Sequence, residues 1–258
     1  MKTLKEIWAY REMIFSLVGR DLRGRYKGSV LGFAWTFLNP LLQLAVYTMV
    51  FSIILRNNIK DYYLYLFVAL VPWIFFSSSV SGGAGCIRAQ SGMITKIYFP
   101  REVIPISHVT SQFVNMLLSL IVVFAVVIIS GKPINPIALL YLPLIMIIEY
   151  LLAIGITMLV SAITVYWRDV EYFMGIIVMA WQFATPVMYG IDQIPERLLK
   201  YFNLNPMTPV IVAYRSILYY GEVPEMNTLL SAVLFGLIML FIGWTVFSKL
   251  KRHFAEEL

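Results

Sequence analysis

Four polar side chains fall inside otherwise apolar stretches of this 258-residue chain: Gln43, Asn115, Glu149 and Gln182. Polar groups in a hydrocarbon interior are costly, so each needs a partner or a purpose. Counted at ~1.5 Å per residue from the helix end nearest the most basic loops, all four come out roughly 18–22 Å deep. Two chemistries fit. One is hydrogen bonding between helices, with Glu149 protonated or bonded to an amide at its own level. The other is a polar belt lining a path for a hydroxyl-rich solute, since Glu149 alone of the four can carry charge. Groups for covalent chemistry are missing. There is no GxxxxGK[ST], HExxH or GxSxG, and the 14 acids are scattered mostly singly through loops. His108 and His253 lie far apart, with no metal-ligand spacing around them. Cys86 is the single cysteine and leaves no intrachain disulfide. No catalytic, metal or cofactor site is expected in this chain.

The elements that must position these groups are membrane helices. The chain is 60% hydrophobic and 13% charged, against about 25% charged in soluble domains. Its mean hydropathy is +0.80. Six stretches have the roughly 20 apolar residues that a spanning helix needs: 30–55, 62–86, 103–130, 136–164, 170–190 and 227–248. The expected fold is therefore an all-α polytopic membrane protein. A single transmembrane domain covers 1–258, with a cytoplasmic interfacial-helix region 1–28 before the six-helix region 30–248. With the N-terminus inside, 14 of the 20 Lys and Arg fall on the cytoplasmic side. The outer side holds Arg56, Lys60, Lys132, Arg197, Lys200 and Arg215. That bias puts both termini in the cytoplasm. The net charge of +6 is thus a topology signal, and no nucleic-acid partner is expected. The basic start is too long and too amphipathic for a signal peptide and is expected to be retained.

Leu4, Ile7, Trp8, Phe15 and Val18 recur at helical spacing, with Lys2, Lys5, Glu6, Arg11 and Glu12 between them, which predicts an amphipathic helix lying on the membrane lipid of the inner leaflet. The cytoplasmic stretch 88–105, RAQSGMITKIYFPREVIP, places Met93, Ile94, Ile97 and Tyr98 on one helical face that Pro100 ends. It is either a connector or a knob that docks on a partner. In the outer stretch 191–226, Pro195, Pro206 and Pro209 leave pieces 196–203 and 208–220, too short to span. They predict two re-entrant helices, as backbone at that depth must be shielded by protein or water. Ser77, Ser78, Ser79, Ser81, Gly82, Gly83, Ala84 and Gly85 in the second span predict close helix approach. Trp73, Phe76, Phe173 and Trp181 are candidate stacking surfaces for sugar rings, although packing and interfacial belts use the same residues.

Four motifs carry a resemblance: DLRGRYKGSVLGFAWTFLNPLL at 21–42, KIYFPREVIP at 96–105, YWRDV at 166–170 and NPMTPVIVAYR at 205–215. In this order they resemble the membrane subunit of ATP-binding-cassette exporters for O-antigen, capsule or teichoic acid polysaccharide, from Asp21 to about Arg252. Trp167 departs locally, standing where that family often has tyrosine. The resemblance implies a homodimer with two copies of a separate ATPase, which binds the ATP and Mg, in the bacterial cytoplasmic (inner) membrane. The substrate implied is a polyprenyl-linked polysaccharide. It assigns ATPase coupling to Ile94, Lys96, Ile97, Tyr98, Phe99 and Arg101, with Tyr166, Arg168 and Asp169 nearby. It assigns an outer gate to the segment holding Pro195, Asn205, Pro206 and Pro209. It implies a channel enclosed by the dimer, with aromatic residues contacting the passing polymer. Other readings stay open: export of a drug or small lipid, an embedded enzyme of envelope lipid metabolism, and an uncoupled channel or scaffold.

Overall fold

The computed structural model describes residues 2–54 and 59–258. Leu55, at the end of the first expected span, and Arg56 of the outer basic set lie outside the described residues. The described chain is helical, with no strand among them. Two helices, α1 (Lys2–Ala9) and α2 (Arg11–Tyr26), precede the bundle. Five segments are long and apolar enough to cross a membrane: Gly32–Ile54, Tyr62–Ala84, Val103–Ile129, Pro136–Tyr166 and Met226–His253. A 23-residue helix spans ~34 Å, enough for a hydrocarbon core of about 30 Å.

The first segment contains α3 (Trp35–Thr48), continued by a π-helical turn Met49–Ile54. Next comes α4 (Tyr62–Ala84), the centre of the bundle, with Leu64 to Val71 buried without a break. Its apolar residues run all round, as expected of a helix enclosed by other helices. Two short helices, α5 (Cys86–Ala89) and α6 (Ser91–Ile94), then lead to α7 (Val103–Ile129). The short α8 (Pro136–Leu139) opens the fourth segment, and α9 (Leu142–Tyr166) completes it. After α10 (Asp169–Phe183) come α11 (Glu196–Asn203) and α12 (Met207–Arg215). The last are α13 (Met226–Leu250) and α14 (Phe254–Glu257).

Helices α9 and α13 make the closest long pairing. A Cβ on Gly155 would collide with the Met239 carbonyl, and one on Gly243 with the Gly155 carbonyl. Backbone-to-backbone approach of this kind replaces the hydrophobic drive that lipid does not supply. In α4 the small residue Gly83 lets a side chain of α9 reach its backbone. A Cβ at Gly83 would strike Thr157, whose hydroxyl donates to the Ser79 carbonyl at 3.0 Å.

Two expectations are corrected. The expected fifth span, 170–190, holds the 15-residue α10 and a non-helical stretch. Pro186 disfavours helix at Thr185, so the helix ends at Phe183, after ~22 Å. The helix expected to run to Pro100 ends at Ile94, although the Ile97 N–H still bonds the Met93 carbonyl at 3.0 Å. Ile94 is buried while Ile97 and Tyr98 are exposed, so the four apolar residues do not form one face.

Candidate functional site

Two loops, the N-terminal helices and the C-terminal turn meet at one end of the bundle. Phe99 and Ile94 are buried and anchor the loop before α7, while Lys96, Ile97 and Tyr98 project, Tyr98 at 91% exposure. The Tyr10 hydroxyl donates to the Tyr98 carbonyl at 3.4 Å. Beside the projection is a groove of about 600 Å3 lined by Glu6, Tyr10, Lys96, Tyr98, Lys251 and Arg252 among others. Arg101 donates to the Lys251 carbonyl, and the Lys251 ammonium pairs with the buried carboxylate of Glu102. From the other loop, the Tyr166 hydroxyl donates to the Leu250 carbonyl at 2.9 Å, and its ring packs on buried Phe254. Arg168 and Asp169 are exposed beside it. The two loops are thus tied to adjacent carbonyls of one C-terminal turn. A further tie, Arg88 to Glu171 at 2.9 Å, joins α5 to α10.

At this end α2 is fastened to α7. Arg25 pairs with Asp21 at 2.9 Å and donates to Gln112 at 3.0 Å and to Ser111 at 3.3 Å, while the Ser111 hydroxyl donates to Asp21. Burial pushes the Asp21 carboxyl up, but the Ser111 hydroxyl and the Arg25 guanidinium outweigh it and hold the group below its ordinary value.

The four intramembrane polar residues do not bond one another. Glu149 is fully buried and accepts from the Tyr214 hydroxyl of α12 at 2.7 Å, so its partner is a phenol rather than the expected amide. Gln43 donates to Asn39 one turn earlier at 3.2 Å. The Asn115 Oδ1 is buried without a hydrogen-bond partner among the described residues. Gln182 is half-buried. Of the candidate aromatics, Trp73 and Phe76 are buried and packed at tilted and edge-on angles into a cluster with Trp181, so they belong to the protomer's core. Phe173 is 60% exposed.

The opposite end is organised around Asn205 and Arg215. Asn205 Oδ1 accepts from the Trp181 indole at 2.8 Å and from the Met207 N–H at 3.0 Å, and its amide donates to the Ala184 carbonyl and the Thr185 hydroxyl. It joins the end of α10 to the start of α12. Pro206 and Pro209 are buried in the first turns of α12, where a missing N–H costs nothing, and Pro195 is exposed just before α11. Arg215, counted above on the outer side and within the expected re-entrant piece 208–220, is 3% exposed. Its guanidinium donates to the carbonyls of Val187 at 2.6 Å, Tyr189 at 3.2 Å and Tyr65 at 3.4 Å, and lies 3.8 Å above the Tyr65 ring. It thereby satisfies the non-helical backbone after α10, which no helix can satisfy internally. Asn39, Glu102, Tyr214 and Lys251 were not singled out. For all but Tyr214 the one legible sign was charge or amide beside apolar sequence.

The family described as ABC-2 type transporter matches residues 12–219. The chain is 33% identical over 261 residues to the O-antigen export system permease protein RfbA of Myxococcus xanthus, covering 100% of both chains. It is 31% identical over 249 residues to a protein of the same name from Klebsiella pneumoniae, covering 96% of this chain and 95% of the other. It is 23% identical over 234 residues to the polysialic acid transport protein KpsM of Escherichia coli, covering 88% and 89%.

Proposed function

Because the chain belongs to the ABC-2 type transporter family, we propose that it is the permease subunit of an ATP-driven exporter of lipid-linked polysaccharide across the bacterial cytoplasmic membrane. The observation that carries this is its identity to an O-antigen export permease along the whole length of both chains. Five apolar helices of spanning length agree with a multi-pass membrane protein.

On this reading both termini and the loops 86–101 and 166–169 face the cytoplasm, α10 with the stretch after it makes a sixth crossing, and α11 and α12 re-enter from outside. Two copies pair and bind two copies of a separate ATPase. Lys96, Ile97 and Tyr98 dock on that ATPase, the one source of work for a chain without a phosphate-binding loop. Their exposure supports the assignment, as do the ties that carry motion at Arg101 and Tyr166 to one C-terminal turn. Asn205 and Arg215 hold the outer gate, and the exposed faces of α3 and α10, with Phe173, border the channel between protomers.

The test uses inverted membrane vesicles that contain the permease, its ATPase and the lipid-linked polysaccharide made by the cells. ATP should render that glycan resistant to added endoglycosidase. Equal digestion with and without ATP would contradict the proposal.

A further inference from the structure

A cavity of about 100 Å3 lies between α3, α4 and α7, where Trp35, Asn39, Ser78, Gln112, Asn115 and Ser119 share the wall with apolar side chains. Its position and chemistry are at odds with a purely lipid-facing helix. Asn39 and Gln43 lie ~10 and ~16 Å along the helix from Gly32, and Asn39 is exposed. A face bearing two amides at that depth does not border hydrocarbon. Asn115 lines the cavity, and its buried Oδ1 has no hydrogen-bond partner among the described residues, a cost that a donor would remove once the side chain turned toward it.

The charge balance narrows the visitor. Arg25 sits at the cavity, but its guanidinium is already matched by Asp21 at 2.9 Å and committed to Gln112 at 3.0 Å. What remains is a neutral set of amides and hydroxyls beside the apolar side chains of Pro40, Val71, Ile74, Phe75 and Met116. Amides present a donor and an acceptor together, as a sugar hydroxyl requires. The volume is about that of three waters, room for a hydroxymethyl arm or a pair of ring hydroxyls but not for a whole ring. Trp35, 38% exposed, has its indole N–H fixed on the Ser29 hydroxyl at 3.0 Å. Its ring face is therefore held in place at the cavity rim, where the rest of a sugar would lie.

We propose that this cavity is a glycan subsite, in which Asn39 and Asn115 take the hydroxyl groups of one sugar residue while it lies against Trp35. The proposal rests on the polysaccharide reading above and adds where this chain grips the polymer.

The experiment uses the same vesicle assay, with the lipid-linked polysaccharide of the host cells as the probe and the full-length permease carrying Asn39→Leu or Asn115→Leu. Each variant should lower ATP-dependent protection of the glycan by at least about five-fold, the scale of a lost buried hydrogen bond. ATP hydrolysis should continue, and the thermal midpoint of the purified permease should not fall. Asn39 is exposed, so its variant decides the matter if Asn115→Leu does not fold. Wild-type protection by the Asn39→Leu variant overturns the subsite. So does a loss of protection matched by an equal loss of thermal stability in both variants, since the amides would then be packing groups. Failure of the unaltered permease to protect glycan overturns the export reading itself, and is distinguished by that control.

Discussion

Arg215 shows how much a charge count leaves open about a single residue. Counting basic residues sets the orientation of a polytopic chain, and that count placed Arg215 on the outer side without giving it a partner. In the structure it holds the carbonyls of Tyr65, Val187 and Tyr189 in the interior. Those partners come from segments some 26 to 150 residues away in sequence, so no local pattern announces them. Replacing Arg215 with Met should destabilise the purified permease by about 2 kcal/mol or more, because several buried acceptors lose their donor at once. Tyr214→Phe, which keeps the ring and removes only the bond to Glu149, should cost about 0.6–2 kcal/mol. Thermal melting in detergent checks both, and an unchanged midpoint for Arg215→Met would mean that water replaces the guanidinium. Asp21 adds a pH dependence. Its carboxyl is held below the ordinary value of 3.8, so its stabilising contribution is complete above that value. The contribution is lost as pH falls through the lower, folded-state value. The attachment of α2 to α7 should therefore be insensitive to pH near neutrality, as hydrogen exchange of α2 would report.

The elements were more legible than their ends. Apolar runs of 20 or more residues predicted six segments, five of which agree with the structure to within about five residues, and proline spacing predicted the pieces that became α11 and α12. The misjudged element was α10, where hydropathy continued past Phe183 but Pro186 did not allow the helix to follow. The loop before α7 was also read as a longer helix than it is. The sequence pattern registered its apolar residues but not that Ile94 and Phe99 turn inward while Ile97 and Tyr98 stay out. Replacing Lys96, Ile97 and Tyr98 together with alanine removes exposed side chains only. The variant should fold and bind lipid-linked glycan normally while ATP hydrolysis no longer drives export, and normal export would sink the docking assignment. The C-terminal turn is predicted to matter through Glu102. Lys251→Met leaves that buried carboxylate without its cation and should impair export. Adding Glu102→Gln should restore part of the loss, because a neutral amide needs no counterion. Additive losses in the vesicle assay would contradict that coupling.

At the scale of the whole molecule, composition alone placed the chain in a membrane, and four short motifs in order placed it among polysaccharide permeases, which the family match over residues 12–219 and the full-length relatives bear out. Physical reading of single residues did not reach the polymer, because neutral amides and aromatics serve helix packing and sugar binding alike. The split between them emerges only in three dimensions: Trp73 and Phe76 close into the core, while Asn39, Trp35 and Phe173 remain at the surface. On the reading proposed above, pairing of two protomers, docking of an ATPase and passage of a glycan form one claim, since the sequence carries no GxxxxGK[ST] phosphate-binding loop. The most direct measurement is the location of polyprenyl-linked polysaccharide in cells from which this protein has been deleted and no second exporter is present. The account predicts that long lipid-linked glycan accumulates at the cytoplasmic face and disappears from the cell surface. Unchanged surface glycan would contradict it and would move a smaller lipid or drug to first place as the exported substrate.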